Sequence, residues 1–156
     1  MSAPSSIYGA NRIGLTAPQR NYLRYVIAIC IATMLLSLIC GLYVLDGLFN
    51  SADQGTFWLL FGCVLLGFGT SGYVGWRYWS DLMDGFAVIR RQRLLNVGRG
   101  RFTVIKLSDM GSMFCAMQPF FVGRPEDFIE REIEVVYSPR SRTAWEIRLP
   151  SDRHSD

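Results

Sequence analysis

The sequence predicts an α+β membrane protein: a two-helix transmembrane hairpin, then a small β-rich cytoplasmic domain built as a partly open barrel or a sheet. Three observations predict it. Residues 25–45 run for 21 positions without a charge, and residues 57–76 for another 20. At about 1.5 Å of rise per residue, each run as a helix reaches about 30 Å, the thickness of bilayer hydrocarbon. Charge is the second observation, because both flanks of the pair are basic and the segment joining them is not. The third is the change of pattern after residue 99, where short β-branched and aromatic runs alternate with Gly- and Pro-bearing turns.

In order, the reading assigns residues 1–24 to a cytoplasmic N-terminal tail, 25–45 to the first span and 46–56 to an extracytoplasmic loop. Residues 57–79 form the second span, 80–98 a juxtamembrane basic helix, 99–150 the β-rich domain and 151–156 a tail.

The tail mixes Ser, Pro, Gly and Asn, a composition that does not build a core. Thr16-Ala-Pro18-Gln19 then reads as a helix start, with Pro18 in the first turn. The first 24 residues carry Arg12, Arg20 and Arg24 and no acid, whereas the gap at 46–56 carries Asp46 and Asp53 and no base. From Arg77 to Lys106 seven bases face Asp81 and Asp84, net +5. Basic flanks are retained on the cytoplasmic side, so both termini are expected there, in a bacterial inner membrane. A cleaved signal peptide is not expected: the first apolar run exceeds an h-region and 24 residues precede it. Trp58 marks the outer interface; Trp76, Tyr78 and Trp79 mark the inner one.

Within the spans, Thr33, Ser37 and Gly41 recur every four residues, as do Cys63, Gly67, Ser71 and Gly75. Small residues along one helix face let two backbones approach. The economical reading packs the two stripes against each other; the alternative gives the Gly-rich one to a helix of another protein. Gly62, Gly69 and Gly72 lie off the stripe, more glycine than one interface requires. No Asp, Glu, Lys, Arg or His lies within either run, which argues against a pore or proton path.

Ser80 reads as the cap of the basic helix, with acids early and bases late as a helix dipole prefers. Asn96-Val-Gly98-Arg-Gly100 reads as a turn. The arginines Arg90, Arg91, Arg93, Arg99 and Arg101 have three readings. They fix topology beside anionic headgroups, bind an anionic ligand, or bind nucleic acid. The net charge of −3 beyond Lys106 opposes nucleic acid.

Residues 102–107 read as a strand. In residues 110–121, Met110, Met113, Phe114 and Met117 fit a helical face, while Met113, Cys115 and Met117 fit strand alternation. This Met/Phe-rich stretch is the expected partner surface, since Met adapts to irregular contacts. In residues 129–137, Ile129, Arg131, Ile133, Val135 and Tyr137 point one way, and Glu130, Glu132 and Glu134 toward water or a basic partner. A solvated carboxylate row offers no environment to separate pKa values for catalysis. An enzyme would instead need a pocket gathering several of Asp109, Glu126, Asp127 and Glu130. Ser138-Pro-Arg-Ser141 turns the chain and residues 143–149 return as the last strand.

The stretch Val135-Val-Tyr137-Ser-Pro139, followed by Ala144 and Ile147, resembles a widespread group of uncharacterised bacterial membrane proteins. These pair transmembrane helices with a small β domain carrying a Val-x-Tyr-x-Pro turn and a final strand. The resemblance covers residues 129–149, with Arg131 where the group usually has Gly and Arg142 where a second Pro is common. It implies a closing hairpin and carries no activity or site residue.

No Cys-x-x-Cys pair is present and His154 is the single histidine, so no metal site, cofactor or His-based catalytic set is expected. The four cysteines are expected as free thiols. The sequence therefore predicts a non-catalytic membrane accessory, scaffold or assembly subunit. Its partners would be lipid and another membrane protein, or further copies of itself, and not nucleic acid. The alternative is a sensor that binds an anionic ligand or headgroup through the arginines.

Overall fold

The computed structural model describes residues 12–49, 54–99 and 102–150. Two compact units emerge: a helical one, Asn21–Met83, and a β unit built from chain on both sides of it, up to Arg20 and from Asp84 onward.

The helical unit is formed from α1 (Ala17–Phe49) and α2 (Gln54–Asp84). Both are longer than the charge-free runs, so 46–49 and 54–56 of the expected loop are helical, and 50–53 lie outside the described residues. The start of α1 carries one arm of a capping box: the Thr16 N–H donates to Gln19 Oε1 at 2.9 Å. Hydroxyls within the apolar helices bond their own backbone. Thr33 donates to the Ile29 carbonyl at 2.9 Å and Thr70 to the Leu66 carbonyl at 2.7 Å. Both helices are long and apolar enough to cross a membrane.

The two helices pack antiparallel on small residues. A Cβ at Gly67 would stand 3.2 Å from Ser37 Oγ, one at Gly41 3.2 Å from Val64 Cγ1, and one at Gly75 3.1 Å from Cys30 Cβ. Ser37, Gly41, Gly67 and Gly75 therefore line the seam. Gly72 also belongs to it, facing Met34 at 3.7 Å, whereas Gly62 and Gly69 face open space. Thr33 and Cys63 do not meet in the seam but line a groove beside it with Cys40. Ser71 is half-buried.

The β unit holds six strands: β1 (Arg12–Gly14), β2 (Phe86–Arg99), β3 (Thr103–Leu107), β4 (Gly111–Cys115), β5 (Glu132–Ser138) and β6 (Thr143–Arg148). They form one mixed sheet in the order β1-β2-β3-β4-β6-β5. A further β2–β5 pairing closes five of them into a ring, with β4 and β6 parallel. A closed ring of strands is an architecture and by itself fixes no function. The long β2 makes the ring possible: Val88–Arg93 pairs with β5, and Leu94–Arg99 pairs with β3 after a bulge at Leu94/Asn96. Leu94, Ile105, Met113, Ile133, Val135 and Trp145 fill the interior.

Three expectations are corrected here. The juxtamembrane helix at 80–98 is absent: α2 runs through Ser80 to Asp84, Gly85 at φ +69° stops it, and β2 begins at Phe86. A left-handed glycine is a common helix stop, and pairing with two distant strands outweighs the helix-like order of charges. Asn96 and Gly98 lie in β2 rather than in a turn. Within the expected tail lies an unforeseen short strand, in which Ile13 pairs with Ala87 and Gly14 with Phe86, while α1 begins at Ala17, at the start expected from Thr16–Gln19. Residues 1–11 and 151–156, where the rest of the tails was expected, lie outside the described residues.

The region 110–121 resolves as strand and loop, and the closing hairpin forms, but its first strand starts at Glu132 rather than Ile129 and is buried on both faces from Ile133 to Ser138. Buried polar groups there are paired: Trp145 Nε1 donates to Ser138 Oγ at 3.0 Å and Ser141 Oγ to Thr143 Oγ1 at 3.0 Å. Gly123 is fixed by contact. At φ +117° its absent Cβ would lie 2.8 Å from the Ile147 carbonyl oxygen.

Two outcomes follow from the glycines. Gly123→Ala should destabilise the protein by about 2–3 kcal/mol, since strain and backbone overlap add, and Gly85→Ala by about 1 kcal/mol from strain alone. Thermal unfolding of the full chain in detergent should rank them so. Gly75→Leu should separate the helices, read as a loss of cross-linking between cysteines placed at 34 and 72, while Gly62→Leu and Gly69→Leu leave it intact.

Candidate functional site

The β unit contains a cleft of about 290 Å³ where β4 loses its partner. Ala116 N–H still donates to the Ala144 carbonyl at 2.9 Å, and Val122 N–H to the Trp145 carbonyl at 2.9 Å. Between those two points residues 117–121 leave the sheet. Phe121 and Pro125 turn inward, and the Pro125–Phe128 3₁₀-helix follows. With the start of β3 this excursion encloses a space floored by Cys115, Ala116 and Phe121 and rimmed by Phe102, Met117 and Arg124.

The floor is chemically quiet. Burial pushes the Cys115 thiol up to about 12, and the nearby Glu126 charge adds to the shift. A thiol held protonated at neutral pH is no nucleophile. The cleft lining is mixed, with Cys115, Ala116, Met117 and Phe121 beside Thr103, Gln118, Arg124 and Glu126.

The residues expected to form a partner surface do not share a face. Met113 is fully buried in the barrel, while Phe114, the next residue of the same strand, is 55% exposed on the outside. Met110 sits half-buried at the β3–β4 turn. Met117 is 48% exposed and joins the rim of the cleft. Strand alternation separates what a helix would have grouped.

The arginines are likewise dispersed. Arg91 and Arg93 point outward from β2 and Arg90 the opposite way, as period two dictates. Arg91 Nε donates to Glu134 Oε1 at 3.1 Å and Arg93 Nε to the Glu130 carbonyl at 3.1 Å. Arg99 ends β2 opposite Thr103, and Arg101 lies outside the described residues.

Glu134, expected to face water or a basic partner, faces basic groups of its own chain. It is buried between Arg91 and Arg148, which stand directly opposite it on β2 and β6. Arg148 Nε donates to Glu134 Oε2 at 3.2 Å. The basic partner of this carboxylate is thus inside the chain. Burial pulls its carboxyl upward, but the two arginine hydrogen bonds and charges outweigh that and hold it below the ordinary value.

The four carboxylates of a possible enzyme pocket are not gathered. Asp109 accepts from Gln92 Nε2 at 3.1 Å, and Gln92 Oε1 in turn accepts from the Asp109 N–H and the Ser108 hydroxyl. That network ties β2 to the β3–β4 turn. Glu126 lines the cleft, while Asp127 and Glu130 are exposed. All four cysteines are free thiols. Among the described residues no cluster of His, Cys, Asp or Glu is able to hold a metal ion.

Sequence reading missed Phe102, Gln118, Phe121 and Arg124 as parts of one site. The available signal was the long irregular stretch between two strands, since such loops carry binding residues on a rigid scaffold.

Glu134→Gln should cost on the order of 1–2 kcal/mol, because the arginines are 58% and 43% exposed and screened. A depressed folded-state pKa contributes stability that is present above the unfolded carboxylate value and lost as pH falls through the folded one. Unfolding followed from pH 7 downward should therefore show the wild-type advantage over Glu134→Gln shrinking below about pH 4.5.

No family model, curated protein or solved structure matches this chain.

Proposed function

We propose that the chain is a two-span integral membrane protein of the bacterial inner membrane, with both termini in the cytoplasm. In this reading it acts as a non-catalytic accessory, scaffold or assembly subunit that binds another membrane protein. The observation that carries the membrane part is the exposure of the two apolar helices. Of their most apolar windows only 11% is buried in α1 and none in α2. In water, helices of this composition belong in a core; left bare, they need an apolar solvent.

The pairing of β1 with β2 supports an even number of crossings. It joins the chain entering α1 to the chain leaving α2, with the Leu15 N–H donating to the Gly85 carbonyl at 3.0 Å. Chain on both sides of the hairpin then belongs on one face of the membrane. The arginine excess of both flanks favours the cytoplasmic face.

The binding role rests on weaker ground, the exposed apolar side chains Phe102, Phe114 and Met117 of the β unit. Exposed aromatic and Met residues are enriched where proteins meet. The sensor reading has less support, because Arg91 and Arg93 already serve Glu134 and the Glu130 carbonyl. The likeness of residues 129–149 to bacterial membrane proteins with a small β domain agrees with this placement.

Two measurements test the reading. Protease added to sealed, right-side-out cells should leave tags at either end intact; digestion of either tag contradicts the topology. After mild detergent extraction the protein should migrate with a membrane-protein partner or as a defined oligomer. A monodisperse monomer with nothing attached would contradict the accessory role.

A further inference from the structure

Resting on the two-span reading, we infer that the β5–β6 turn, residues 139–142, is a docking surface for anionic phospholipid headgroups, with Arg142 as its free cation. The turn belongs to the end of the β unit at which the chain enters and leaves the hairpin. Three ties define that end. Leu15 N–H donates to the Gly85 carbonyl at 3.0 Å, the Arg12 guanidinium lies 4.5 Å above the Phe86 ring, and Arg140 Nε donates to Asp84 Oδ2 at 2.8 Å. Depth follows from the rise of α2. From Arg77, the first charge after the second apolar run, to Asp84 the helix climbs about 10 Å, and a headgroup layer is about 5–8 Å thick. Asp84 therefore emerges at the outer edge of the headgroups, and the turn bonded to it stands at the same level.

Charge selects the occupant. Residues 12–20, 84–88 and 138–143 carry Arg12, Arg20, Arg140 and Arg142 against a single acid, Asp84. Arg140 already neutralises that acid. Among the described residues the Arg142 side chain has no hydrogen-bonding or ionic partner, and it is exposed. Its backbone is fixed from both sides: Arg142 N–H donates to the Ser138 carbonyl at 3.0 Å, and the Arg142 carbonyl accepts from Phe114 N–H at 3.3 Å. It sits at φ +55°, where glycine would be the easier residue. A long cation is thus held at the depth of the phosphates against the preference of the backbone. An excess of arginines at that depth is attracted to an anionic leaflet. This surface is separate from the arginines of β2, since Arg91 and Arg93 bond to β5 and to the loop before it. Phe114, exposed and paired with Thr143, also lies at this end, which leaves Phe102 and Met117 for a protein partner.

The test uses the purified full chain in liposomes of equal phosphatidylglycerol and phosphatidylcholine, with photoreactive benzoylphenylalanine in place of Phe114. On irradiation, mass spectrometry should show lipid adducts with phosphatidylglycerol in excess. The same probe in place of Phe102, beyond the far end of β2, should gain none. Arg142→Gly should lower the phosphatidylglycerol excess about fivefold without lowering the thermal midpoint, because glycine relieves the left-handed backbone. Arg142→Lys should keep the excess. Equal yields of the two lipids, no lipid adduct at 114, an excess untouched by Arg142→Gly or one lost in Arg142→Lys would each overturn the proposal. Adducts joining two chains would make the face a protein contact and overturn it as well. Failure of the membrane reading shows separately. A chain that alkaline carbonate washes from the liposomes is not integral, whereas one that stays and gains no adduct fails only here.

Discussion

The pairing of three N-terminal residues with the start of β2 constrains everything else in the molecule. Arg12, Ile13 and Gly14 lie against Val88, Ala87 and Phe86, and the Arg12 guanidinium sits 4.5 Å above the Phe86 ring. By itself a three-residue pairing is marginal. Here it joins chain segments that α1 and α2 separate by some 70 residues, so one small sheet holds both ends of the hairpin. The β5–β6 turn adds a second tie, since Arg140 Nε reaches Asp84 Oδ2 at 2.8 Å. Half-exposed, that ion pair contributes little stability, but it fixes where the helix gives way to strand.

From that junction the architecture follows by elimination. Gly85 ends α2, and a 14-residue strand must then find partners along its whole length. No single strand of a domain this small is so long, so β2 is shared: β5 takes its first half and β3 its second. Sharing closes the ring and buries Gln92, whose amide is satisfied by Ser108 and Asp109. It also brings Arg91, Glu134 and Arg148 into one row across three strands. Charges that looked like solvated surface are thus internal fastenings. The price of closure is the short parallel contact between β4 and β6, and the cleft opens where that contact lapses.

What the sequence made legible is what depends on near neighbours. Charge-free runs of helical length and a helix start at Thr16–Gln19 are local facts with counterparts in the fold; the small-residue stripes have one in part, since Ser37, Gly41, Gly67 and Gly75 meet in the seam and Thr33 and Cys63 do not. The closing hairpin was legible too, because Val135, Tyr137 and Ile147 alternate between turn residues. The misread stretch, 86–99, has early acids before it and bases within it, as a helix terminus would. Its strand state is decided by β3 and β5, some ten to fifty residues away. No window around Arg91 contains Glu134. β1 was invisible because three residues have no period, and the cleft because irregular loops have none either.

The central claim is that chain before the hairpin and chain after it meet in one sheet on one side of a membrane. A direct test places cysteines at the facing positions 14 and 86 (Gly14→Cys with Phe86→Cys) in a chain whose own cysteines are alanine, oxidised mildly in intact membranes. A Cβ at Gly14 meets open space, and facing strand positions suit disulfide geometry. The account predicts rapid, complete formation of an internal disulfide. Cysteines that stay free, or that join only between chains, would contradict it.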